Sequence, residues 1–320
     1  MNQTASPFAL HGAQPLAPQK FSDPAVTARG ERRAHVAMTG LSTLWFNTGT
    51  LCNLACTSCY IESSPTNDAL VYITLGEVRN YLDEIARDGL PTREIAFTGG
   101  EPFMNRDMLP IIQLCLDRGF DVLVLSNAMR PMRRFERKLQ ALKGCERLTI
   151  RVSLDHHTQA IHEAERGSNS WVKAIDGLVW LAENSFNIAV AGRHLGAEPE
   201  ADAREGYRRL FATHNLPIDA DDPTGLVLFP EMDETADIAE ISTGCWDILK
   251  IDPANMMCAS SRMVVKRKGE TTPRVAACTL LPYQMNFDMG ATLAEAARDV
   301  QLNHPHCARF CVLGGASCAA

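Results

Sequence analysis

Between residues 41 and 230, short apolar runs alternate with stretches whose apolar residues return every three or four positions. LSTLWFNTG (41–49), EIAFTGG (94–100), DVLVLSNA (121–128), LTIRVSLD (148–155), FNIAVAGR (186–193) and TGLVLFP (224–230) read as six strands. The intervening segments 75–89, 108–119, 135–142, 171–185 and 202–215 read as helices. The first has a start and a stop signal: Thr74 with Glu77 three residues on forms a capping box, Val78, Leu82 and Ile85 share one face, and Gly89 ends it. Strands spaced by helices imply parallel β/α units with right-handed crossovers. Six strands are too few for a closed eight-stranded barrel, so the expected fold is α/β, a partial (β/α)6 TIM-like barrel.

Outside that region the pattern breaks. Residues 1–38 are rich in Ala, Pro and Gln without periodicity and are expected to form an N-terminal arm or loose cap; 39–235 is the barrel. Residues 236–320 form a small cysteine-rich domain: a linker or short helix starting near Asp233, a hairpin over 258–278 turning near Gly269, a helix over 291–302 and a cysteine-bearing tail over 304–318.

Composition narrows the class. With 46% apolar and 22% charged residues the chain is that of a globular protein, and the formal charge of -7 gives no electrostatic reason to hold a nucleic-acid backbone. It has no 18-residue apolar run and no basic start followed by an apolar core, so the expectation is a cytoplasmic protein with no membrane partner. In a reducing compartment, eleven cysteines point to metal ligation or redox chemistry rather than disulfides. Three lie within eight residues and six lie beyond residue 244, while Cys115 and Cys145 read as ordinary core or boundary residues.

The polar residues Cys52, Gly99, Gly100, Glu101, Ser126, Asn127, Asp155 and Arg193 all fall at or just past strand C-terminal ends, the active face of a barrel-like fold. Cys52, Cys56 and Cys59 form CNLACTSC. Three thiolates on one tight loop can bind three irons of a cubane and leave the fourth open, whereas structural zinc takes four protein ligands.

This spacing resembles the signature of the radical S-adenosylmethionine (SAM) superfamily. The resemblance implies that the open iron of a [4Fe-4S] cluster is chelated by the amino and carboxylate groups of SAM. Reductive cleavage would give a 5'-deoxyadenosyl radical that abstracts hydrogen from a substrate. It implies roles for other residues too: Tyr60 beside the adenine, Gly99, Gly100 and Glu101 of TGGEP at the SAM amino group, and Ser126 and Asn127 at the ribose. Ser153 and Asp155 of SLD would line the pocket, with a His and an Arg following in HHTQAIHEAERG, and Arg193 could pair with the SAM carboxylate. Asp155 joins the three cysteines as the candidate catalytic set.

Cys245, Cys258, Cys278, Cys307, Cys311 and Cys318 resemble the C-terminal auxiliary-cluster domains of the SPASM/twitch type, without the Cys-x-x-Cys pair of the longer kind. One auxiliary [4Fe-4S] cluster is expected, with Cys258, Cys278, Cys307 and Cys311 as preferred ligands, Cys318 as an alternative to either of the last two, and Cys245 spare. Structural zinc on four of these thiols is the competing reading. The resemblance also implies a small-molecule or peptide substrate undergoing oxidation, rearrangement or bond formation, and an electron donor such as flavodoxin or ferredoxin. A peptide or protein maturase is one alternative, and a metal-stapled binding protein without turnover is the alternative from another class.

Overall fold

The computed structural model describes residues 6–9, 12–193, 195 and 198–315. Its centre is an eight-stranded sheet. The strands are β2 (Thr43–Asn47), β3 (Glu94–Thr98), β4 (Asp121–Ser126), β5 (Leu148–Ser153), β6 (Asn187–Arg193), β7 (Leu226–Phe229), β8 (Ser261–Val265) and β9 (Arg274–Ala276), after a short β1 (His35–Val36) that lies outside it. β2 to β7 pair in sequence order, every pair parallel, which is the expected partial barrel. All five residues of β2 are buried, as a strand covered on both faces requires.

The helices pack outside. They are α1 (Leu75–Asp88), α2 (Met108–Asp117), the short turns α3 (Arg130–Arg133) and α4 (Glu136–Leu139), then α5 (Gln159–Arg166), α6 (Ser170–Glu183) and α7 (Glu200–Thr213). α1 starts and stops where its signals place it. Thr74 Oγ1 accepts from the Glu77 backbone N–H, the Glu77 carboxylate accepts from the Thr74 N–H at 2.9 Å, and Gly89 takes the left-handed conformation at φ 61°.

The C-terminal region departs from expectation in two respects. Its hairpin is not confined to a separate small domain: β8 pairs parallel with β2, β9 pairs antiparallel with β8, and the sheet therefore gains two strands on its free edge. Burial of all five residues of Ser261–Val265 explains the choice, since Met263, Val264 and Val265 are better covered on the barrel than alone. The helix expected over 291–302 is one turn long. After α8 (Cys245–Leu249) and α9 (Met257–Ser260), α10 spans only Leu293–Ala296, and Val300–Gln301 forms β10 against β1. Arg262, almost wholly buried, ties this region together by donating to the carbonyls of Cys258, Ser261, Ala296 and Arg298 at 2.6–3.0 Å.

The N-terminal arm is packed, not loose, over its described residues. The Arg33 guanidinium donates to the Asp23 and Val26 carbonyls and to Glu240 Oε1 at 2.6 Å, and the Glu240 carboxylate also accepts from the Phe21 and Ala28 backbone N–H groups at 2.7 Å. The two side chains are 0% and 6% exposed, so removing one partner strands a buried charge. Arg33→Ala is therefore expected to cost about 3–5 kcal/mol of unfolding free energy in denaturant titration, against under about 1 kcal/mol for a surface pair.

Candidate active site

β2 runs into a loop, residues 48–64, that has no regular structure and takes its shape from its neighbours. Thr50 N–H donates to the Leu70 carbonyl, Cys52 N–H to the Ser64 carbonyl and Thr57 N–H to the Glu165 carbonyl, each near 3 Å. The Glu165 carboxylate accepts from both the backbone N–H and the hydroxyl of Ser58, at 2.8 and 2.7 Å.

The end of β3 passes directly beneath this loop. Gly100 N–H donates to the Gly49 carbonyl at 2.8 Å, and a β-carbon on Gly100 would stand 2.2 Å from the Leu51 carbonyl oxygen. Gly99 has φ +138°, which side chains rarely adopt. The glycine pair thus has a packing reason as well as its expected place beside a ligand.

One hollow at the C-terminal ends of the strands collects the residues expected there. Cys52, Cys56, Cys59, Tyr60, Gly99, Gly100, Ser126, Asn127, Ser153, Asp155 and Arg193 all line it, and no other described cysteine does. Burial pushes the Cys52 thiol up to about 12 and the Cys56 thiol up to about 11, so both are protonated until a metal displaces the proton. Three thiols with no fourth fit a cluster that keeps one coordination position for an outside ligand, and their spacing is that of a SAM-binding iron-sulfur site.

Glu101 is set back from this wall and is 1% exposed. Its carboxylate accepts from Phe103 N–H, Ser126 Oγ and Asn127 N–H at 3.1, 2.9 and 2.8 Å, which fixes the β4 end. Asn127 in turn donates to Asn53 Oδ1 at 2.9 Å on the cysteine loop. Asp155 is held by a two-pronged contact from Arg166, at 2.6 and 3.1 Å. Burial alone would raise its pKa, but the Arg166 guanidinium, with Arg193 and His162, outweighs burial and holds it below the usual carboxylate range.

Arg193 donates to Ser58 Oγ at 2.6 Å and to Glu231 Oε2 at 2.7 Å, with Glu165 Oε1 at 3.4 Å and the Phe8 ring 4.1 Å below. Its charge is already matched twice. Glu165, on the wall of the hollow, and Glu231, the second carboxylate on Arg193, are neighbours that sequence reasoning did not single out. HEAER carried the signal for Glu165, but nothing local to Glu231 marks it.

A second hollow lies in the C-terminal region, walled by Cys258, Cys278, Cys307 and Cys311 among thioether and hydrocarbon side chains. Burial pushes Cys258 up to about 11 and Cys307 up to about 12. Cys245 is elsewhere, its sulfur accepting from Ser242 N–H at 3.4 Å, and Cys318 lies outside the described residues. Leu280 and Phe310 line both hollows and form the partition between them. No helix among the described residues is long and apolar enough to cross a membrane.

The family profile described as "Radical SAM superfamily" matches residues 46–209, just over half of the 320-residue chain. The chain belongs to the radical SAM superfamily. It is 28% identical over 141 residues to the antilisterial bacteriocin subtilosin biosynthesis protein AlbA of Bacillus subtilis (strain 168), covering 44% of this chain and 30% of that one. It is 29% identical over 149 residues to the AdoMet-dependent heme synthase of Methanosarcina barkeri (strain Fusaro / DSM 804), covering 45% and 41%. The chain thus spans less than half the length of these relatives. Streptococcus suis SuiB has a similar fold, with a TM-score of 0.59 at 10% identity, over 83% of this chain and 68% of that one.

The buried Glu101 gives a pH test. Desolvation raises its pKa from 4.5 to about 7, against the three donors that lower it. Because the folded chain holds this proton where the unfolded chain has lost it, the contribution is present below pH 4.5 and lost as pH rises to about 7. Measured against Glu101→Gln, the wild-type chain should lose on the order of 3 kcal/mol more stability across that window in denaturant titrations under reducing conditions.

Proposed function

We propose that the chain is an enzyme that holds a SAM-binding [4Fe-4S] cluster on Cys52, Cys56 and Cys59 and uses it to abstract hydrogen from a small-molecule or peptide substrate. The observation that carries this reading is the set of three thiols on one loop, with no fourth described cysteine on the wall of the hollow they share with the TGGEP and SLD segments. When bound, the cluster and SAM together supply a low-potential electron and a 5'-deoxyadenosyl radical.

The chain's own residues position and enclose. Gly99 and Gly100 offer backbone without side-chain bulk beside SAM, Tyr60 a face for the adenine, and Ser126, Asn127 and Ser153 hydroxyl and amide groups for the ribose and its surroundings. Glu101 acts from behind, setting Ser126 and Asn127. Asp155 is a positioning residue that aligns Arg166 next to Cys56. Arg193 takes the SAM carboxylate by exchanging it for Glu231, whose own pKa burial raises.

The C-terminal hollow is read as the seat of a second [4Fe-4S] cluster with ligands drawn from the cysteines on its wall. The Leu280 and Phe310 partition favours electron transfer between the two centres, and a flavodoxin or ferredoxin is the expected donor. AlbA, named for bacteriocin biosynthesis, and the heme synthase keep both peptide and small-molecule substrates in view.

The test is anaerobic reconstitution with iron and sulfide, then reduction in the presence of SAM. 5'-Deoxyadenosine is expected, at least 100-fold less of it after Cys56→Ala, and about eight irons per chain. A metal-stapled binding protein would release none, a methyltransferase would yield S-adenosylhomocysteine, and about four irons with zinc would replace the second cluster by a zinc site.

A further inference from the structure

A group of metal-binding side chains sits at the ends of β5 and β6, apart from both cysteine-walled hollows. His156 and His157 follow Asp155 on the loop after β5, and Glu198 stands on the loop between β6 and α7. A ring nitrogen of each histidine and a carboxylate oxygen of Glu198 lie within 4.8 Å of one another. None of the three residues lines either hollow.

The two rings are held by packing. His156 is 2% exposed, and its ring lies against that of His157 with centroids 4.0 Å apart. His157 in turn covers Gly206 in the middle of α7, where a β-carbon would stand 2.5 Å from the ring, and meets the Tyr207 ring edge-on at 5.7 Å. The helix thus gives up propensity at its centre and admits an imidazole in return.

The nitrogens that face Glu198 and the loop interior are bare. His156 Nε2 and His157 Nδ1 are both buried with no hydrogen-bond partner. The Thr158 hydroxyl at 2.8 Å and the Thr158 backbone N–H at 3.1 Å both engage His156 Nδ1, so whichever proton the ring carries, Nε2 is the atom left over. A buried polar nitrogen without a partner is costly and calls for a ligand. His156 Nε2 stands 3.4 Å from Glu198 Oε2 without a hydrogen bond between them. Two ligands on a tetrahedral zinc, with bonds of about 2.0–2.1 Å, are roughly 3.4 Å apart. That pair therefore already has the spacing of two ligands on one ion. The Leu195 backbone N–H donates to the same carboxylate oxygen at 3.3 Å and orients it.

We propose that His156 Nε2, His157 Nδ1 and the Glu198 carboxylate bind one zinc ion, with water in the fourth position. Two imidazoles and one carboxylate are the donor set that zinc takes when one position is left open. The Thr158 hydroxyl supplies the outer contact that a ligating histidine makes through its other nitrogen. The ion fastens the loop bearing Asp155 to the loop that follows Arg193, two segments already joined by the Arg193 N–H donating to the Asp155 carbonyl at 2.9 Å. The site is independent of the iron-sulfur centres proposed above.

The test is zinc binding by the full-length, anaerobically reconstituted protein, measured by equilibrium dialysis against micromolar zinc and by X-ray absorption at the zinc edge. At the same free zinc, the wild-type chain is expected to hold one more ion than either His156→Gln or Glu198→Gln. The spectrum of that ion, taken as the difference between wild type and variant, should show nitrogen and oxygen neighbours at about 2.0–2.1 Å. His304→Gln, in the separate group formed by Glu234, His304 and His306, should keep it. Far-ultraviolet circular dichroism checks that each variant is folded, and Glu198→Gln, on a side chain 17% exposed, stands in should His156→Gln fail to fold. Equal zinc in the wild type and Glu198→Gln, sulfur at about 2.3 Å around the ion that is lost, or its loss in His304→Gln would overturn the site. Loss of the iron-sulfur centres with this zinc retained would count against the proposed function alone.

Discussion

The loop bearing Cys52, Cys56 and Cys59 has no ladder or helix of its own, so its shape depends on a close approach from below and a grip from the side. Below, Gly99 and Gly100 let the β3 end come so near that any side chain on Gly100 would overlap the Leu51 carbonyl. At the side, Glu165 holds the backbone and hydroxyl of Ser58, and Arg193 presses on the same hydroxyl. Three thiols are thereby set around one hollow while the groups that set them stay buried.

That arrangement distributes charge in layers. Burial keeps Cys52 and Cys56 neutral, and behind the loop two arginines, Arg166 and Arg193, meet three carboxylates, Asp155, Glu165 and Glu231. Such a network costs desolvation and is retained where geometry matters more than stability. The C-terminal region continues the same construction. β8 extends the barrel's sheet, Arg262 binds its turns together, and the cysteine-walled hollow ends only a Leu280 and Phe310 thickness from the first.

Much of this was legible in the chain because it is local. Six strands and the α1 capping box follow from periodicity and short-range hydrogen bonding, and all appear where expected. The candidate site was legible from motif order, since strand C-terminal ends converge in any parallel β/α unit. What was not legible is non-local. Ser261–Val265 could not be assigned to the β2 edge from its own residues, and the Thr292 and Glu295 box does start a helix that then yields to β1 pairing. The inward turn of Glu101 and the Glu231 partner of Arg193 depend on contacts from segments 25 and 38 residues away.

The central claim is that the iron left free by Cys52, Cys56 and Cys59 is completed by SAM and not by the protein. Electron–nuclear double resonance on the reduced protein, with SAM carrying 17O in its carboxylate and 15N in its amino group, addresses it most directly. The account predicts that both labels couple to the reduced N-terminal centre. A spectrum in which neither label changes anything would contradict it.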